Sequence, residues 1–555
     1  MGVAAMQSRQ DQWLLAHRTN SDPGALIMAQ TATALYKTNA GKVVRIPRVE
    51  LQVAWGYDAD DLSAPAFNWT TQSTDESTRI KAISWTRQLD MKGPLAQGAS
   101  PVAALSVELD NYDNRYSPFN TSSPLTASLL ASTTTAGGQT VQYPKLWQVP
   151  VRVRVGWESD AERLTLFTGL IDEPDENWGV SGARVGFRCF DVGGMLLKRK
   201  YSTKLRTLVN VKDWLIYLMQ VGGMEAHVGT NMDDGLFYIP WAWLDDEDIY
   251  SECSKAAASE GGYFYFNELG KSVFRNAAWW AQKADSITSV YTFTVAKFSD
   301  ITPGYDWKSV ATGALVEYQG RQSAGEQVVW KSSNVIVCNP GIGGVPGLTE
   351  IEARLEYPVD ELYAPVLLVD WVPINAGGMD MSDVVEWRFI HFAQRASIQL
   401  LNYSHETAFI SRMQLRGTAL FGGPTEQVDR QVAVPLVPEN VLRLSDNPYI
   451  QTKPQADLLA DLAADRMQYP RLTYKISGVP AVPWLQLGDR ITITATEPIT
   501  TSRQAIVTKL DFSWRPEARF VMNVEAVDAA GLFQYSDFFV VGTNEYYEGG
   551  VVMFR

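Results

Sequence analysis

The chain has 555 residues, enough for several domains, because a single core usually stops growing at about 250–300 residues. Its composition is that of a globular protein, with 46% hydrophobic, 20% charged and 11% aromatic residues, and no stretch reaches the roughly 18 apolar residues of a membrane helix. A formal net charge of −14 argues against tight holding of a phosphate backbone, which needs clustered Lys and Arg.

The N-terminus, M-G-V-A-A-M-Q-S-R-Q-D-Q-W, lacks the basic-then-apolar order of a signal peptide. Met6 stands where a myristoylation motif needs Ser or Thr. The expectation is a protein that folds in a cytoplasm. Cys189, Cys253 and Cys338 form no C-x-x-C pair, and His17, His227, His391 and His405 form no helical ligand pair. Neither a disulfide framework nor a zinc site is expected.

Residues 1–47 are polar and rich in small side chains, and read as an extended arm. From Arg48 the pattern turns strand-like in V-E-L-Q-V-A-W-G-Y, and further strands follow in I-K-A-I-S-W-T-R, A-A-L-S-V-E-L, P-V-R-V-R-V-G-W, L-T-L-F-T-G-L-I and A-R-V-G-F-R-C-F. Short alternating strands between turn signals imply a β-barrel or sandwich over 48–200. The period then changes. Val211, Trp214, Leu215, Leu218 and Met219 share a helical face, with Asn210 as cap and Gly222 as stop. A second helix begins at L-D-D-E-D-I-Y and ends at Gly261–Gly262. A hairpin turning at Asn267–Gly270 completes a small α/β domain over 201–290.

Strands resume from Tyr291. The Gly-rich run Asn339–Gly347 marks a boundary, and 346–429 read as an inserted β-rich domain. A helix with Thr452 as candidate cap, Pro454 in its first turn and Ala456, Leu459, Ala463 and Met467 on one face follows. The strands of 430–533 then join 291–345 as a second barrel. Residues 534–555 form an aromatic tail, read as a docking segment.

Two distant blocks repeat. Val151–Leu196 and Asp489–Phe533 each give three strands of similar spacing, ending at Phe190-Asp191-Val192-Gly193 and Val527-Asp528-Ala529-Ala530. The fold class expected is mainly β with a small α/β domain: two related β-barrel domains plus an inserted β-rich domain. An internal duplication accounts for the repeat, and two unrelated β-domains with shared turn chemistry are the plainer alternative.

The stretch S-V-E-L-D-N-Y-D-N-R-Y-S-P (Ser106–Pro118) could be an oxygen-rich metal loop, a catalytic acid pair or a turn. Together with V-R-V-R-V-G-W and L-F-T-G-L-I-D-E it resembles the N-terminal barrel of the tail hub proteins of long-tailed phages. R-L-S-D-N-P-Y-I-Q-T-K-P-Q-A and W-L-Q-L-G-D-R-I-T-I are similar to the closing barrel of the same family, and the α/β domain fits between them. The resemblance spans about Val49 to Phe533. It implies a homotrimer in which three subunits with two barrels each match a hexameric tail tube. It also implies neighbours: a distal tail protein or tail tube above, a fibre or central tip protein and the tape measure protein below, and DNA in passage.

With that frame Asp110, Asn111, Asp113 and Asn114 are expected to make an Asx-type turn, with Arg115 pairing a nearby carboxylate. The glycine and distal glutamate of an EF-hand are missing, and a Ca²⁺ ion held in the turn is the alternative reading. Asp245, Asp246, Glu247 and Asp248 stand where a helix begins and favour its dipole. The Asn339–Gly347 run lacks the G-K-[ST] ending of a phosphate loop, and His391 and His405 read as packing residues. No catalytic, cofactor-binding or metal residue is assigned, and the protein is expected not to be an enzyme. A tail-associated cell-wall hydrolase, or a glycan-binding module using its 18 Trp and 23 Tyr, are the alternative classes.

Overall fold

The computed structural model describes residues 32–529 apart from short internal stretches, the longest being 56–67, 125–131, 279–287, 433–439 and 495–501. Residues 1–31 of the arm and the tail 534–555 lie outside the described residues. Part of the arm is not extended. Ala34–Ala40 form a helix, α1, capped by the Thr33 hydroxyl, which accepts from the Tyr36 backbone N–H at 3.1 Å. Tyr36 is buried between Trp157 and Trp484, and its hydroxyl donates to the Val155 carbonyl. One apolar anchor in a polar segment gives no periodicity, so the pattern alone could not reveal this turn.

The first block holds β1 Pro47–Val53, β2 Thr74–Asp75, β3 Ile80–Gln88, β4 Ala104–Asp110, β5 Pro150–Trp157, β6 Leu164–Gly179 and β7 Gly182–Asp191. Alternation decides which face is buried: in β5 Val151, Val153 and Val155 face the core, while Arg152 and Arg154 do not. Their order in space is β2-β1-β5-β6-β7-β4-β3. Only Glu76 and a 3-10 turn, Ser77–Arg79, separate β2 from β3. One bent stretch of chain therefore pairs with β1 at its start and with β4 at its end. The row of strands closes on itself as a barrel.

The α/β domain follows. Helix α2, Val211–Val221, buries Val211, Trp214, Leu215, Leu218 and Met219, and the Asn210 side chain accepts from the Lys212 backbone N–H. Helix α3, Ile249–Ala258, starts at Asp248, whose carboxylate accepts from the Ser251 backbone N–H at 2.9 Å. The hairpin β8 Tyr263–Phe266 and β9 Ser272–Arg275 turns at Asn267–Gly270, with Gly270 at φ 70°. A side chain there would be strained, so glycine is required.

The last block contains β10 Tyr291–Thr294, β11 Asp300–Asp306, the long pair β12 Gly313–Lys331 and β13 Ala408–Gln431, helix α4 Lys453–Met467, then β14 Arg471–Pro480, β15 Arg490–Thr494, β16 Arg503–Trp514 and β17 Val521–Asp528. Six of these run β10-β15-β16-β17-β14-β11 in space. A 3-10 turn, Val295–Lys297, again separates the strand stretches that pair with β15 and with β14. Leaving out β1, the two barrels have the same strand order in chain and in space. β1 is the one addition: it runs antiparallel to both β2 and β5, so β2 and β5 are parallel to each other, as β10 and β15 are.

The duplication reaches single residues. The pairing of β6 with β7 shifts register between Ile171 and Glu173, and that of β16 with β17 shifts between Val507 and Lys509. Both bulges precede the same kind of buried aspartate, Asp191 and Asp528, at the ends of β7 and β17. The β3-to-β4 connection is short, whereas the equivalent β11-to-β14 connection carries the inserted strands and α4. β12 and β13 pair antiparallel from Gly313 opposite Gln431 to Lys331 opposite Gln414. The inserted strands have a core of their own around Ile398, Leu400, Ile410, Met413 and Leu415. Helix α4 buries Ala456, Leu459, Ala463 and Met467, with Val316 and Val428 of the long pair against Ala456 and Leu459.

Candidate assembly surface

β3 pairs with β4 on one side and with β16 on the other, and this joins both barrels into one sheet, 13-stranded among the described residues. The pairing runs from Ile83 opposite Trp514 to Gln88 opposite Lys509, and continues in a bond from the Leu89 N–H to the Thr508 carbonyl at 2.8 Å. On the core side Trp85 stacks on Phe512 with ring centroids 4.6 Å apart. Such a pair adds about 0.5–1.5 kcal/mol beyond its buried area. Arg87, next along the same face, donates to the Phe266 carbonyl at 2.7 Å and pairs with Glu268 at 3.3 Å. Glu268 also accepts from the Gln486 side chain at 2.9 Å. Both barrels and the α/β hairpin therefore meet at one buried ion pair.

The opposite face of the sheet is polar. Ser84, Thr86 and Gln88 of β3 lie beside Lys509, Asp511 and Ser513 of β16 on this face. It continues through Glu108 and Arg184, paired at 2.5 Å, on one side. On the other it continues through Asn523 and Glu525 to Lys475, Thr302, Asp300 and Asp306. Lys509 bridges Asp511 at 3.1 Å and Glu525 at 3.6 Å, and the Asp511 carboxylate holds its amine above the ordinary lysine range. Cations on this face are set beside carboxylates, which leaves little unbalanced positive charge to hold a polyanion.

The Asp110–Asn114 stretch is a turn, and it clamps the bend that closes the first barrel. The Asp110 carboxylate accepts from the Tyr112 N–H, that of Asp113 from the Arg115 N–H, and Asn114 adopts φ 57°. Arg79, at the end of the bend, makes two bonds to Asp113 at 2.8 and 2.7 Å, which lower the Asp113 carboxyl below the usual range. Glu76, also in the bend, is buried and accepts from Trp55 Nε1 at 2.9 Å, Arg115 at 2.8 Å and the Tyr116 hydroxyl at 2.6 Å. Burial, then the Glu76 carboxylate, pushes the Tyr116 phenol far up. Arg115 does pair with a carboxylate, as its position suggested. That this carboxylate is Glu76, some forty positions upstream, had no local signal.

Asp248 caps α3, Asp245 pairs with Arg395 at 2.7 Å, and Asp246 lies 3.5 Å from the same guanidinium at φ 62°. Within the Gly-rich run, Gly343 and Gly344 at φ 63° and 83° form a tight reversal between Ile342 and Val345. His405 Nδ1 lies 3.1 Å from the Gly341 carbonyl, and burial lowers the pKa of His391, whose ring lies against Phe389. Cys189, Cys253 and Cys338 are buried free thiols. Among the described residues no cluster of three His, Cys, Asp or Glu is placed to hold a metal.

No family model matches the chain, and no curated protein matches its sequence. Solved structures similar to it include a tail protein from Neisseria meningitidis MC58, at 7% identity and TM-score 0.46, covering 87% of this chain and 97% of that one. The 43 kDa tail protein of prophage MuSo2 from Shewanella oneidensis is similar at 9% identity and TM-score 0.45, over 87% and 98% of the two chains. A prophage tail protein gp18 from Listeria monocytogenes EGD-e follows at 8% identity and TM-score 0.36, over 86% and 94%. These likenesses are loose.

Proposed function

We propose that the protein is a non-enzymatic structural hub of a long-tailed phage, located at the tail tip after assembly in the host cytoplasm. Three copies form a ring of approximate sixfold symmetry. The ring joins the hexameric tail tube, or a distal tail protein, to the tip and fibres, and DNA passes through it during ejection. One observation carries this reading: two barrels whose strand order is the same apart from the added β1, joined edge to edge by β3 and β16 within a single chain. Two equivalent units per chain reach six around an axis with three copies, and head-to-tail contacts that close produce such a ring. The sequence motifs of the hub family, at Ser106–Pro118 and in the closing barrel, support the same assignment. In that ring the polar face of the sheet lines the passage, and 346–429 face neighbouring tail proteins.

The test is the rotational symmetry of the assembled particle at the level of this protein. The reading requires a threefold ring with six similar lobes, and six full-length copies in one ring contradict it.

A further inference from the structure

We propose that neighbouring copies of this chain join by pairing β11 of one copy with the outer edge of β6 of the next, in the register that β3 and β16 adopt within the chain. The inference rests on the ring reading above and names the partner surface for it.

The internal duplication supplies the register. The matched bulges place Asp175, Glu176, Asn177 and Trp178 of β6 at the positions of Asp511, Phe512, Ser513 and Trp514 of β16. The pairings with β4 and β14 place Ile301, Thr302, Pro303 and Gly304 of β11 at the positions of Ile83, Ser84, Trp85 and Thr86 of β3. Within the chain β3 lies between β4 and β16, whereas among the described residues β11 ends the sheet, with β14 as its ladder partner. Likewise β16 from Lys509 to Trp514 pairs with β17 and β3, whereas β6 from Glu173 onward pairs among the described residues with β7 alone. Carrying the β3–β16 register across sets Ile301 opposite Trp178, Thr302 opposite Asn177, Pro303 opposite Glu176 and Gly304 opposite Asp175 of the next copy.

Two features fit such a junction. The polar face keeps its chemistry: Thr302 stands for Ser84, Asn177 for Ser513, and Asp175 for Asp511, and Thr302, Asn177 and Asp175 are exposed. Each edge also contains a proline, Pro303 and Pro174, inside an intact ladder with β14 and β7 respectively. A proline fits there only with its nitrogen facing away from that ladder, toward the open edge. These prolines remove N–H donors from the junction, and the Trp85–Phe512 stack has only Pro303 and Glu176 in its place. The junction between copies is therefore weaker than the one within the chain. Edge prolines also suppress indiscriminate strand pairing.

Disulfide trapping tests the register. Residues directly opposite in adjacent antiparallel strands fall within reach of a disulfide, and the three native cysteines are buried. Thr302→Cys protein mixed with Asn177→Cys protein should give a reducible link between chains on oxidation. Thr302→Cys mixed with Asp175→Cys, out of register, should link far more slowly. Ser84→Cys/Ser513→Cys in one chain should close within the chain and confirm the reference register. Light scattering on the same reduced samples reports assembly independently. Threefold mass without the Thr302–Asn177 link overturns the edge pairing and leaves the ring reading standing. Single chains at the highest attainable concentration, with no link, overturn both.

Discussion

Arg87 and Glu268 form an ion pair at 3.3 Å in which both side chains are over nine-tenths buried. Arg87 belongs to the strand that joins the barrels, and Glu268 belongs to the α/β hairpin and also receives the Gln486 amide of the second barrel. Leaving a buried charge without its partner costs about 3–5 kcal/mol. Glu268→Gln and Arg87→Met are each expected to lower stability by about that amount, and the double variant by less than the sum. Denaturant unfolding of the four proteins checks this as a double-mutant cycle, and additive losses would show the pair to be uncoupled.

The Asp110–Asn114 turn clamps the bend between β2 and β3 through Asp113 and Arg79. Replacing Asp110 and Asp113 together with Asn should leave any hydrolysis of purified host envelope unchanged. Asp110→Ala should cost about 0.5–2 kcal/mol through lost turn bonds. Tyr116→Phe removes one donor from buried Glu76 and should cost about 1–3 kcal/mol. A well-folded double Asn variant with a selective loss of hydrolysis would return the pair to catalysis.

Much of the fold is legible in the sequence. The alternation of β5 and the five apolar positions of α2 reappear as buried faces, because local periodicity and burial share one cause. The duplication of Val151–Leu196 in Asp489–Phe533 reappears as common strand order and matched bulges. What local pattern could not provide is the β3–β16 pairing, since Trp85 and Phe512 lie more than four hundred positions apart and each strand reads as an ordinary half-buried one. Glu76 was equally hidden: a carboxylate next to Asp75, in the link between β2 and β3, looks like a solvated loop residue until Arg115 and Tyr116 fold over it. Tyr36 anchors a helix in a segment whose polarity reads as extended.

Stability should depend on pH through Glu260. Its carboxyl is fully buried, one oxygen accepts from the Phe237 N–H at 2.9 Å, and the other has no hydrogen-bond partner among the described residues. Burial pushes its pKa from 4.5 up to about 8. With the folded value raised, the folded state holds the proton longer than the unfolded chain. The stability it contributes is complete below the ordinary value and is lost as pH rises through the folded value. Asp191, raised by burial to about 6, titrates in the lower part of that window. Denaturation midpoints should therefore fall between about pH 6 and 8 in the parent protein and much less in Glu260→Gln. Equal slopes would assign the loss to other groups.

The polar sheet face is expected to let DNA pass without holding it. Asp175→Lys with Asp511→Lys places unbalanced cations there and should create salt-sensitive DNA binding absent from the parent protein, because each neutralised phosphate releases counterions. Filter binding across a salt series measures it. Strong binding by the parent, or none by the variant, would contradict a DNA-lined role for this face.

With two barrels per chain, three copies should make a complete ring. The most direct measurement is the mass, by light scattering or native mass spectrometry, of the ring formed by the full chain or released from assembled particles. Three chain masses are predicted, with single chains appearing on dilution. A stable ring of six full-length chains would rule out the trimeric hub.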